Sequence, residues 1–94
     1  MPKKYYQVDI VDGGKVETLV FKRKREKEKW LADYLTAGDF ASAFRKLYDD
    51  YLIRHLVISG KALDYTDFLK VYCKQSHIRL TANFKILLVR EKSF

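Results

Sequence analysis

The run from Phe40 to Leu56 constrains the fold of this chain more than any other stretch. Phe40, Ala43, Phe44, Leu47, Tyr48, Tyr51, Leu52, His55 and Leu56 recur at three-and-four spacing, so a helix would carry them all on one face. Ser42, Arg45, Lys46, Asp49, Asp50 and Arg54 then fall on the other side, with Ile53 alone breaking the rule. Two Phe and two Tyr in that stripe let few residues close a small core, because each ring buries a large apolar area.

A chain of 94 residues is expected to form one compact domain over positions 1–94, with limited interior for a core and an enclosed catalytic cavity together. Its composition, 48% hydrophobic and 15% aromatic, is too apolar for a disordered tail. Lys and Arg number 19 against 12 Asp and Glu, a formal charge of +7, and neither half is a detached basic tail. Such a surplus attracts phosphate polymers, anionic membrane surfaces or acidic proteins. A single cysteine, Cys73, excludes an internal disulfide and fits a reducing compartment. Met1-Pro-Lys-Lys does not lead into a signal-peptide core and no run is long enough to span a bilayer, so a cytoplasmic location is expected, in the host if the gene is viral.

Tyr5–Val11 alternates as a strand, and Asp12-Gly13-Gly14 supplies residues that tolerate positive φ, which predicts a hairpin returning over Lys15–Phe21. A first helix is predicted from Lys24 or Arg25 to Thr36-Ala37-Gly38 on the stripe Trp30, Leu31, Tyr34 and Leu35, with Asp39 as cap of the second. Residues 55–59 read as the end of that second helix or as a short strand, and helix is preferred; Gly60 ends the element. Asp64 and Asp67 open a third helix that fades near Gln75 or Ser76. Leu80–Glu91 reads as one strand, buried or set against a partner and paired with the hairpin. The predicted fold is therefore α+β in the order ββαααβ, with three helices over a three-stranded, mainly antiparallel sheet.

The strongest functional candidate is Lys22 to Lys29, with six basic and two acidic residues in eight. Arg23 and Arg25 can form paired hydrogen bonds to phosphate, while Lys22, Lys24, Lys27 and Lys29 add a less directional field. Glu26 and Glu28 dilute that field and favour the plainer account of a solvated helix start. Lys70 and Lys74 share a face of the third helix and, with Arg79, form a second candidate patch. A helix-turn-helix reading of the second and third helices is weakened by Asp64 and Asp67, which would repel phosphate at the approaching end.

No catalytic, metal or cofactor constellation emerges. Cys73 and His77 are four apart but lack a second closely spaced pair, and Gly13-Gly14 has neither phosphate-loop nor dinucleotide spacing. The expectation is a small non-enzymatic accessory or regulatory protein that contacts nucleic acid, DNA or RNA, through these basic residues. The alternative is a protein-binding module or inhibitor, of the kind compact phage or mobile-element genes encode, docking an acidic protein surface. A homodimer is a further expectation, because a domain this small gains core area by self-association.

Overall fold

The computed structural model describes residues 4–93, with the backbone alone described at 56–59. Met1 to Lys3, and the Leu56 side chain of the predicted stripe, lie outside the described residues. Strands β1 (Lys4–Asp12) and β2 (Lys15–Phe21) form the expected hairpin, closed by Gly13-Gly14. Gly13 sits at φ +63°, the left-handed region a two-residue hairpin loop demands and glycine enters without a Cβ penalty.

Three helices follow: α1 (Lys24–Ala37), α2 (Ala41–Ser59) and α3 (Tyr65–Cys73). Gly38 is the C-cap of α1, its N–H donating to the Tyr34 carbonyl at 2.9 Å, and glycine is needed there because a Cβ would meet that oxygen at 2.7 Å. The Asp39 carboxylate accepts from Lys85 Nζ at 2.6 Å, and the first turn of α2 closes with the Phe44 N–H donating to the Phe40 carbonyl. Residues 55–59 are helical, and Gly60 at φ +69° terminates α2. Asp64 caps α3, its Oδ1 accepting from the Asp67 N–H at 2.8 Å.

The predicted single strand over 80–91 is instead two, β3 (Ile78–Ala82) and β4 (Lys85–Ser93), and the order becomes ββαααββ. Asn83 makes the difference. It adopts φ +55°, a conformation asparagine tolerates better than most residues, and the chain reverses through Asn83-Phe84. The result is a four-stranded antiparallel sheet ordered β2-β1-β4-β3, with the first and last strands paired from Lys4↔Ser93 to Asp12↔Lys85.

The helices pack on one face of this sheet. Val8, Leu87, Val89, Ile78 and Leu80 project from it to meet Leu31 and Leu35 of α1, Phe40 at the entry to α2, Phe44 of α2 and Cys73 of α3. Phe44 is the aromatic centre, its ring against Tyr65, Phe68 and Tyr72 of α3 at 5.7, 5.6 and 5.1 Å. The polar side of α2 meets solvent as its sequence pattern demands, with Ile53 exposed among those residues; His55, counted with the stripe, is exposed too. Phe44→Ala should lower stability by about 3–5 kcal/mol in urea unfolding, because it removes a fully buried ring from a site bounded on several sides.

Candidate nucleic-acid interface

The nine basic residues singled out by sequence are divided by the fold. Arg25 and Lys29, four apart on α1, line one groove with Lys70 and Lys74 of α3, and the groove encloses about 290 Å³. Ala32 and Cys73 contribute to its lining, with Glu28 as its one acidic residue. Among the described residues, none of these four basic side chains is held in an ion pair. Lys22 and Arg23 are exposed in the β2–α1 connection, and Lys24 is exposed as the first residue of α1.

Lys24 and Arg25 sit at the unfavourable end of α1, beside Glu26, whereas Lys70 and Lys74 sit at the favourable C-terminal end of α3. Basic residues are stabilising near a helix C-terminus, yet α1 carries Lys24 and Arg25 in its first turn and none in its last. Each misplaced charge costs on the order of 0.3–1 kcal/mol when exposed. Helix-end electrostatics thus accounts for Lys70 and Lys74 but not for Lys24 and Arg25.

Lys27 is different. It is 0% exposed, and its Nζ donates to the carbonyl oxygens of Cys73 at 2.5 Å and Gln75 at 2.9 Å. The ammonium also lies 5.3 Å from the centre of the Tyr6 ring, within reach of the ring's negative face. Burial is the largest influence on this lysine and holds its pKa below the ordinary value. Lys27 thus ties the start of α1 to the end of α3, satisfying the Cys73 carbonyl that the helix terminus leaves without an intrahelical partner and the Gln75 carbonyl just beyond it. It does not offer its charge to a ligand. The signal was present in the sequence: stepping back one turn from Leu31 and Leu35 along the apolar stripe lands on residue 27.

Arg79 lies apart from the groove. It is exposed on edge strand β3, on the sheet face opposite the helices, in register with Leu88. Asp9 is buried on that same open face, where it accepts from Thr18 Oγ1 at 2.8 Å, from Gln7 Nε2 at 3.1 Å and from Arg90 Nη2. Burial by itself would raise the carboxyl pKa. The hydrogen bonds from Thr18, Gln7 and Arg90, with the guanidinium charge, outweigh it and hold Asp9 below its ordinary value.

Burial pushes the Cys73 thiol up to about 11, so the thiolate needed for nucleophilic attack is scarce at neutral pH. His77 is exposed just ahead of β3. Among the described residues, no group of three or more His, Cys, Asp or Glu side chains could hold a metal ion, and no helix is long and apolar enough to cross a membrane. Tyr48, Tyr51, Tyr65 and Tyr72 form one aromatic cluster with Phe68, which accounts for them as packing groups. Comparison of the chain with protein-family models, curated proteins and solved structures finds no match.

Lys27→Met keeps most of the aliphatic stem but strips the two carbonyls of their donor, and should cost about 1–3 kcal/mol in chemical denaturation. Lys24→Ala, at an exposed position, should stay within about 0.5 kcal/mol. Asp9 gives a pH dependence of defined sign. Its folded pKa is depressed, so its contribution is full above the unfolded value near 3.8 and is lost as pH falls from there through the folded value. Thermal unfolding of Asp9→Asn between pH 5 and pH 2 should accordingly show a shallower acid decline than the parent, a range of about three units around the ordinary carboxylate pKa.

Proposed function

We propose that this chain is a small, non-enzymatic accessory or regulatory protein of the cytoplasm that contacts nucleic-acid phosphates through the α1–α3 groove. The observation that carries the reading is the convergence of Arg25 and Lys29 with Lys70 and Lys74, from two separate basic segments, on one groove without ion-pair partners among the described residues. Lys22, Arg23 and Lys24 extend the same charge into the β2–α1 connection. Arginine can fork onto a phosphate while the lysines contribute field, an arrangement that positions a backbone and reads no bases. Lys27 has a structural post and is left out of the surface; Arg79 belongs to a separate one.

A second reading, a protein-binding module or inhibitor, draws on the open sheet face and the loop beside it. Val16 and Val20 are exposed there, and Phe84 at the β3–β4 turn is 91% exposed. Isolated apolar side chains are ordinary on surfaces, and this combination is less specific than four converging cations.

Fluorescence anisotropy against duplex DNA, single-stranded DNA and RNA across a salt series tests the first reading. If the four groove residues each meet a phosphate, log K for duplex DNA should fall against log salt with a slope of about −3.6. Lys70→Ala/Lys74→Ala should weaken binding to all sequences alike and reduce that slope by about 2. Absent binding, or binding indifferent to salt, would overturn the reading. A protein partner retained after these neutralisations would favour the second.

A further inference from the structure

The two edges of the sheet differ in a way that bears on self-association. Edge strand β3 has five residues, directs Arg79 to the open face and packs beside α2. Edge strand β2 has seven, contains no proline, and pairs with β1 without a bulge from Tyr6↔Phe21 to Asp12↔Lys15. Short length, charge, proline and bulges are the devices that keep sheet edges from pairing. Strand β2 is the longer edge and has neither proline nor bulge, and its two charges, Lys15 and Glu17, stand on the helix side of the strand, leaving Val16, Thr18 and Val20 uncharged on the open face.

The hydrogen-bond phase of β2 follows from its loop. A two-residue hairpin closes on a pair that exchanges both backbone bonds, here Asp12 and Lys15, so residues 15, 17, 19 and 21 turn their N–H and C=O toward β1. Val16, Thr18 and Val20 turn theirs to the free edge. A partner strand must bond to those three residues, and the sequence of β2 itself is suited to do so.

We propose that a second copy of this chain pairs with the first through β2, antiparallel, with the two-fold axis at Thr18. That register overlaps all seven residues and sets Val16 opposite the partner's Val20, Thr18 opposite the partner's Thr18, and Val20 opposite the partner's Val16. All three are bonded pairs, giving about six N–H···O bonds across the axis. Moving the axis to residue 17 would set Glu17 against its own copy and leave two bonded pairs; moving it to residue 19 also leaves two. At Thr18 no like charges stand directly opposite, since Lys15 faces the partner's Phe21 and Glu17 the partner's Leu19.

The side chains complete the fit. Val16 and Val20, 61% and 56% exposed in the single chain, become two cross-strand apolar pairs on the open face. On the helix side, the partner's Leu19 and Phe21 come in beside Glu17 and Lys15, at the rim of an open cleft of about 940 Å³ that Trp30 and Tyr34 also line. The pairing joins two four-stranded sheets into one and, because the axis is normal to the sheet, keeps both helical layers on the same side. It does not depend on what the α1–α3 groove binds.

Sedimentation velocity of the full chain, from dilute to concentrated solution, should show a reversible monomer–dimer equilibrium. Val16→Lys/Val20→Lys opposes like charges twice across the axis and should abolish the dimer, with circular dichroism reporting an intact fold. Val16→Glu/Val20→Lys opposes unlike charges at the same two positions and should restore it. As a gentler check, Val16→Cys and Val20→Cys chains mixed under oxidation should give a disulfide-linked heterodimer, because Cα atoms about 5.5 Å apart in a bonded pair lie within bridging range. A wild-type chain that stays monomeric would overturn the proposal. So would a dimer indifferent to the lysine pair, or a glutamate–lysine variant as monomeric as the double lysine.

Discussion

The ladder between β1 and β4 is the interaction on which the rest of the molecule depends. It joins strands from the two ends of the described chain, Lys4↔Ser93 through Asp12↔Lys85, and places both at the centre of the sheet. Only in that register do Val8 and Val89 stand side by side, with Ile10 beside Leu87, as a floor for the helices. Each β-hairpin alone would be marginal in water, and the helices need the joined floor to bury Leu31, Leu35 and Phe44. Long-range pairing of this kind carries a loop-closure cost that the packing of the intervening helices offsets.

Lys27 links that core to the basic surface. Its ammonium is satisfied by the carbonyls of Cys73 and Gln75, so α1 begins where α3 ends. Arg25 and Lys29 are then held on α1 across a groove from Lys70 and Lys74 on α3. A buried lysine is expensive to desolvate, and its hydrogen bonds compensate only in this geometry. The same residue type therefore does two unlike things within one run of charges: one lysine fixes the spacing of the helices, and its neighbours exploit it.

The open sheet face owes its character to a similar division. Asp9 is buried there without help from any helix, because Thr18, Gln7 and Arg90 supply its hydrogen bonds. Around it stand Val16 and Val20 on an unpaired edge. Polar satisfaction in the middle and apolar side chains at the margin give this face two unlike zones.

What the sequence determined by itself was whatever depends on local period and local turn chemistry. The Phe40–Tyr48 part of the stripe, the Gly13-Gly14 hairpin, the Gly38 and Gly60 stops and the Asp64 cap were legible, because each is decided by residues within a turn or two of one another. Asn83-Phe84 was harder, since alternation runs unbroken through it and a lone asparagine is a weak turn signal until β3 and β4 are seen to pair. The helical period placed Lys27 with Leu31 and Leu35, but which of the other basic residues share a surface was decided by tertiary structure. Lys22 to Lys29 reads as one run, but helical rotation sends Lys27 to the interior and Arg25 and Lys29 to the groove, while Lys70 and Lys74 arrive from a segment some forty residues away. Arg79, expected beside them, is carried to the opposite face by the strand pleat. Charge is readable in a sequence; which charges share a surface depends on long-range packing, and no local pattern contains it.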